Sequence, residues 1–99
     1  MPGHSEIDNM HFVYILQSVK DKKLYVGITK DLNLRLEKHR QGEVESTKNR
    51  RPLKLIGYEA YLTKEEAAKR EKYLKSSDGK KELKIRFRNS LIIDKARFA

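Results

Sequence analysis

The chain has 99 residues, a formal net charge of +9, and equal shares of hydrophobic and charged residues at 37% each, which suits one domain with a modest core. It has no cysteine, which excludes disulfides and thiolate metal sites and is compatible with a reducing, cytoplasmic setting. No apolar run nears the roughly 20 residues of a membrane helix, and an excess of cations this large draws a small domain to polyanions, nucleic acid first.

The polar opening MPGHSEIDN lacks the apolar stretch of a signal peptide. Residues 1–9 read as a flexible leader and 10–99 as the domain, with Met10 available as a start residue. HFVYILQS, at 11–18, is aromatic and β-branched and predicts a buried strand. After the polar turn 19–23, LYVGIT at 24–29 predicts a second strand, so the two form a hairpin. Residues 30–42 predict a helix started by Thr29 or Asp31 and stopped by Gly42. A polar loop, 43–52, leads to a third strand over 53–62, with Gly57 at a bulge.

A second helix opens at Thr63, where Glu66 three residues later completes a capping box, and runs to about Ser76, where SSDG breaks it. In 80–90, Leu83, Ile85 and Phe87 alternate like a strand, while Leu83 and Phe87 stand four apart like a helix. Asp78 as a cap, and the propensities of 80–84, favour the helix. The tail LIIDKARFA reads as a short strand or a docked extension. The order ββαβαα predicts an α+β domain: a small, three-stranded, mainly antiparallel sheet flanked by helices.

Both main helices put ionisable groups on their inward stripes. In the second, Ala67, Ala68 and Leu74 share a face by the 100° rule, and Glu71 lies among them. In the first, Arg35 and His39, four apart, share the face of Leu32 and Leu36, while Leu34 points away. The hairpin adds Tyr14 and Tyr25, with Gly27 on the same side as Tyr25. A glycine inside a strand lets something approach the backbone closely, and a phosphate is one candidate. Basic residues cluster at Lys48, Arg50 and Arg51, at Lys69, Arg70 and Lys75, and again over 80–88. Neither main helix shows the broad apolar face of a membrane-surface helix.

FVY at 12–14, YVG at 25–27, Arg35, His39 and Glu71, in that order and spacing, resemble the GIY-YIG nuclease superfamily over about residues 10–90. RRP before the third strand and KREKYLK around the glutamate are similar to its small single-domain bacterial members, themselves similar to the N-terminal nuclease module of the nucleotide-excision-repair endonuclease. The resemblance implies hydrolysis of phosphodiester bonds in DNA with one divalent cation, Mg²⁺ or Mn²⁺, in DNA repair or recombination. It implies Tyr25 as general base, Tyr14 in its hydrogen-bond network, Gly27 leaving room at the strand, Arg35 on the scissile phosphate, and Glu71 as the metal's protein ligand. His39 stands where relatives carry Tyr or His. With a reference pKa near 6.5 an imidazole is the better base at neutral pH than a phenol near 10, so Tyr25 and His39 both stay open. Phe12 replaces the first glycine of the motif, Ile28 stands where the repair module has a lysine, and Asn89 is the candidate for a late asparagine, farther from Glu71 than in that module. Lys48, Arg50, Arg51, Lys69, Arg70 and Lys75 are the expected phosphate ligands, giving affinity that falls with salt and reads no bases. A catalytically weak binding module of the same fold is the alternative, and a small RNA- or ribosome-associated protein is the third.

Overall fold

The computed structural model describes residues 9–92. The chain runs β1 (His11–Ser18), β2 (Leu24–Thr29), α1 (Leu32–Arg40), a single 3₁₀ turn (Lys48–Arg50), β3 (Leu53–Tyr61), α2 (Lys64–Leu74) and α3 (Ser77–Arg86). The predicted ββαβαα order and α+β class are therefore observed. The sheet is antiparallel throughout, in the order β2-β1-β3. The first eight residues of the expected leader and residues 93–99 of the tail lie outside the described residues. Among the described residues no helix is long and apolar enough to cross a membrane.

The central strand β1 is buried from Val13 to Ser18 because both its faces are covered. One face sends Val13 and Ile15, with Val26 of β2, into a core closed by Ala67 and Leu74 of α2 and Leu83 of α3. The other face carries Tyr14 and Leu16, paired with Gly27 and Tyr25 across the hairpin. It lies under α1, whose His39 ring meets the rings of both tyrosines. Cross-strand partners point to the same side, so the two faces divide cleanly into a core face and a tyrosine face.

β3 changes sides partway along. Its register against β1 slips between Ile15 and Leu16, where Ile15 faces Gly57 and Leu16 faces Leu55, leaving Ile56 as the extra residue of a bulge. The bulge expected at Gly57 thus centres one residue earlier. Gly57 is needed for another reason: a Cβ there would lie 2.7 Å from the Phe87 ring. Beyond the bulge Tyr58 joins the tyrosine face, opposite Tyr14, while Glu59 turns to the core face, opposite Val13. There Arg70 of α2 donates to Glu59 from Nε at 2.9 Å and from Nη2 at 3.1 Å, Tyr61 donates at 2.7 Å, and Arg86 of α3 pairs with the same carboxylate. Burial works to raise the Glu59 carboxyl, but hydrogen bonds from Arg70 and Tyr61 outweigh it and hold it below the usual carboxylate range.

Helix boundaries follow their caps. Asp31, of the two predicted candidates, caps α1 by accepting from the Leu34 N–H, so the helix is shorter than the expected 30–42. Gly42 ends it with φ +77°, a left-handed conformation that favours glycine. Thr63 caps α2 as predicted. Three expectations for the later helices need correction. Ala68 is exposed, because the buried stripe of α2 is only as wide as Ala67 and Leu74. The cap of α3 is Ser76 and not Asp78; Asp78 instead sits in its first turn, where a carboxylate complements the helix dipole. SSDG is accordingly no break of several residues: α2 ends at Leu74, and Ser76 already caps the next helix. Gly79 then lies against the end of α2, where a Cβ would stand 2.1 Å from the Tyr73 carbonyl oxygen and 2.5 Å from Leu74 Cα.

That approach leaves no room for a methyl group against backbone. Gly79→Ala is expected to destabilise the domain by about 1–3 kcal/mol through overpacking. Urea unfolding measures this directly, and an unchanged midpoint would mean that α2 and α3 do not meet as described.

Candidate functional site

The tyrosine face gathers groups from three separate elements. Tyr14 from β1 is fully buried, and its hydroxyl lies 2.7 Å from His39 Nε2 of α1. Arg35, one turn earlier on α1, donates from Nε to the same hydroxyl at 3.3 Å. Tyr25 from β2 is half-buried, its ring 5.2 Å from that of His39 and 6.2 Å from that of Tyr14, centroid to centroid. The Arg35–His39 spacing brings both side chains over the sheet from one helix face. Leu34 on the opposite side of α1 is 53% exposed, as its position predicts.

Gly27 lies directly opposite Tyr14. A Cβ at Gly27 would sit 2.4 Å from both Cζ and Oη of Tyr14. The missing side chain therefore makes room for a phenol of this chain; the phosphate considered from the sequence does not occupy that notch. The notch lets the Tyr14 hydroxyl reach under α1 to His39 and Arg35.

His39 is 1% exposed, and both its ring nitrogens are engaged: Nε2 with Tyr14 and Nδ1 with Thr47 Oγ1 at 2.7 Å. One nitrogen donates and the other accepts, as a neutral imidazole requires. Burial first, and the Arg35 charge second, push its pKa down to about 4. Burial is also the main cause that raises Tyr14 to about 12, against the opposing hydrogen bond from Arg35. Arg35 in turn is held above its usual value, chiefly by the bond to Tyr14. At neutral pH the cluster thus holds a neutral phenol, a neutral imidazole and one cation. His39 is thus buried and neutral, with both ring nitrogens engaged inside the protein.

Thr47 escaped the sequence reading. It sits in the stretch taken as a polar loop, yet it is fully buried, with Val44 buried beside it. A threonine eight residues after a histidine carries no pattern; only its burial reveals it. Arg51 helps hold this loop, donating from Nη1 to the Arg40 carbonyl and from Nε to the Lys48 carbonyl, both at 3.0 Å.

Glu71 stands apart from this group. It lies on α2, which packs against all three strands, including the edge strand β2 that bears Tyr25. Its side chain is 22% exposed, and the carboxylate pairs with Lys75, one turn on, at 3.3 Å. Among the described residues no hydrogen bond or ion pair joins it to the tyrosine cluster, and no three His, Cys, Asp or Glu side chains group to hold a metal. Asn89 is exposed in the turn after α3.

The expected phosphate ligands divide. Arg70 is committed to Glu59 and Glu82 and ties α2 to β3 and α3, so it serves the fold rather than a phosphate. Two of Arg51's N–H groups go to backbone carbonyls, and Arg50 pairs with Asp21 at 3.3 Å. Lys48 pairs with Glu45 and Lys75 with Glu71, both on the surface, where such pairs yield readily to a stronger partner. Lys69 is exposed on α2.

The profile of the GIY-YIG catalytic domain matches residues 10–84. UPF0213 proteins of Staphylococcus aureus strains Mu3 and Mu50 are each 46% identical over 76 residues, covering 76% of this chain and 92% of theirs. The solution structure of a UPF0213 protein from Bacillus halodurans is 38% identical and covers 75% of this chain and 81% of that one, with a TM-score of 0.48.

Two expectations test the cluster. Above about pH 6.5 the imidazole is neutral in the folded and the unfolded chain alike, so its contribution to stability is whole. As pH falls from there to about 4 the unfolded imidazole takes a proton that the folded one refuses, and stability declines. The loss amounts to about 3 kcal/mol on that shift. His39→Gln should flatten the curve of unfolding free energy across that window relative to wild type; parallel curves would mean that His39 is not held neutral. Separately, Gly27→Ala should lower stability by about 1–3 kcal/mol as the methyl displaces the Tyr14 ring. A thermal midpoint equal to wild type would show that the notch is not filled by Tyr14.

Proposed function

The chain belongs to the GIY-YIG family, and on that premise we propose that it is a metal-dependent endonuclease that hydrolyses phosphodiester bonds in DNA. One observation supports this above the others: Tyr14, Tyr25, Arg35 and His39, drawn from three elements, meet on one face of the sheet. A packing role alone would give a half-buried arginine and a buried histidine no reason to share one phenol.

The geometry supports a role for each residue. His39 has both nitrogens occupied, so the half-buried Tyr25 is the group left to accept a proton from an attacking water. Tyr14 remains protonated and orients its neighbours. Arg35 supplies a fixed fork of donors, suited to two oxygens of a phosphodiester and to the charge that grows on them. Its Nε is engaged by Tyr14, which aims the remaining N–H groups.

Among the described residues, Glu71 is the donor that fits the divalent cation this chemistry calls for. Glu71 offers a partly exposed side chain whose carboxylate, among the described residues, is paired only with a surface lysine. A single carboxylate suits a hard cation such as Mg²⁺ or Mn²⁺, which takes its other oxygens from water and phosphate. When bound, such an ion stabilises charge on the phosphoryl and leaving oxygens. α2 packs on all three strands, β2 among them, so Glu71 stands on an element next to the strand that bears Tyr25.

The net charge of +9 supports nucleic acid as the partner, with affinity that falls as salt rises. A role in DNA repair or recombination, and a cytoplasmic location, belong to the same proposal. A second reading, a binding module that does not cut, is favoured by the Glu71–Lys75 pair, which already satisfies the carboxylate without a metal.

Cleavage of supercoiled plasmid and of flapped DNA at low salt separates the two. With Mg²⁺ or Mn²⁺ the wild type should cut. Tyr25→Phe, Arg35→Lys and Glu71→Ala should each lose about a hundredfold or more while still binding. Binding without cleavage by all four proteins would favour the second reading.

A further inference from the structure

Beside the cluster lies a groove of about 980 Å³, within the range of ligand sites. Its floor is apolar: Leu16 of β1, with Leu53 and Leu55 of β3. His39 lines one side, so the groove is continuous with the candidate site. Its rim holds Lys20, Arg40, Lys48 and Arg51 against a single carboxylate, Glu37. Two amides, Asn33 and Asn49, also line it, and an amide can donate and accept.

The same face of β3 continues past the bulge to Tyr58, the partner of Tyr14 across β1. Tyr58 is 54% exposed and meets Phe12 edge-on, with centroids 5.9 Å apart and ring planes at 70°. Phe12 covers at most one face of the Tyr58 ring, and more than half of Tyr58 is exposed. An exposed aromatic held upright in a sheet, next to an apolar floor under a cationic rim, is the chemistry that stacks a base while its phosphates meet the cations.

We propose that this groove and Tyr58 form a subsite for an unpaired nucleobase next to the scissile phosphate. The inference rests on the nucleic-acid reading of the site and narrows its substrate to strands with bases free to leave the stack. A paired duplex keeps its bases turned inward and offers the face nothing. The rim argues against an apolar protein partner or a second copy of this chain, since a surface with four cations and net charge +9 would repel itself.

Binding of a 12-nucleotide single strand, measured without divalent metal, tests it. 2-Aminopurine is placed at each position in turn. In wild type one or two positions should show strong quenching. Tyr58→Ala should abolish that quenching and weaken binding about five- to a hundredfold, and Tyr58→Phe should keep both. An abasic residue at the quenched position should weaken wild type by a similar factor and Tyr58→Ala no further. Uniform quenching, or full affinity in Tyr58→Ala, would overturn the subsite even where the protein cuts DNA. A concentration-dependent dimer that Tyr58→Ala dissolves, with no base effect, would overturn it in favour of self-association. Position-specific quenching in a protein that never cuts would uphold the subsite and remove the nuclease reading alone.

Discussion

The phenol of Tyr14 is the point from which the candidate site is organised. It lies in the middle of the central strand and is fully buried. A buried hydroxyl needs partners, and here it has His39 and Arg35. His39 in turn needs a partner for its second nitrogen and finds it in Thr47. One polar group at the sheet centre thereby fixes the position of α1 and of the loop that follows it. α1 presents little apolar surface of its own, and His39 is its one fully buried residue. Its attachment to the sheet is to a large degree polar, and directional bonds hold Arg35 where apolar packing alone would not aim it.

The rest of the molecule provides a rigid backing for that arrangement. α2 and α3 cover the core face, and Glu59 couples both to β3 through Arg70 and Arg86. The carboxylate is mostly buried, so removing either arginine would leave a poorly solvated charge. The division of labour is clear: one sheet face carries the core, and the other carries buried polar groups.

Much of this was legible in the sequence. The strands at 11–18 and 24–29 match because their aromatic and β-branched runs are bounded by polar turns. Arg35 and His39 were placed on one face by the helical period alone. What the sequence concealed is long-range. Arg70 looks like a surface cation until Glu59, eleven residues earlier, proves to share the core face with it. Thr47 looks like loop until it is found under α1. Ser76 was misjudged because one residue can close a helix and cap the next, so a four-residue break was read where the helices nearly touch. Glu71 was readable as a carboxylate on an apolar stripe, and the structure pairs it with Lys75.

The bulge at Ile56 connects these points. Side chains in a strand alternate, so without an extra residue Glu59 and Tyr61 would share a side with Leu53 and Leu55. Glu59 would then lie on the tyrosine face, a negative charge on the side of Tyr14. Arg70 and Arg86 would lose their common acceptor. Tyr58 would be driven into the apolar core, where Gly57 already yields its space to Phe87. With the slip, Glu59 serves the helices and Tyr58 stands in the open beside Tyr14. One inserted residue in an edge strand thus keeps the Glu59 carboxylate off the tyrosine face and leaves an aromatic there.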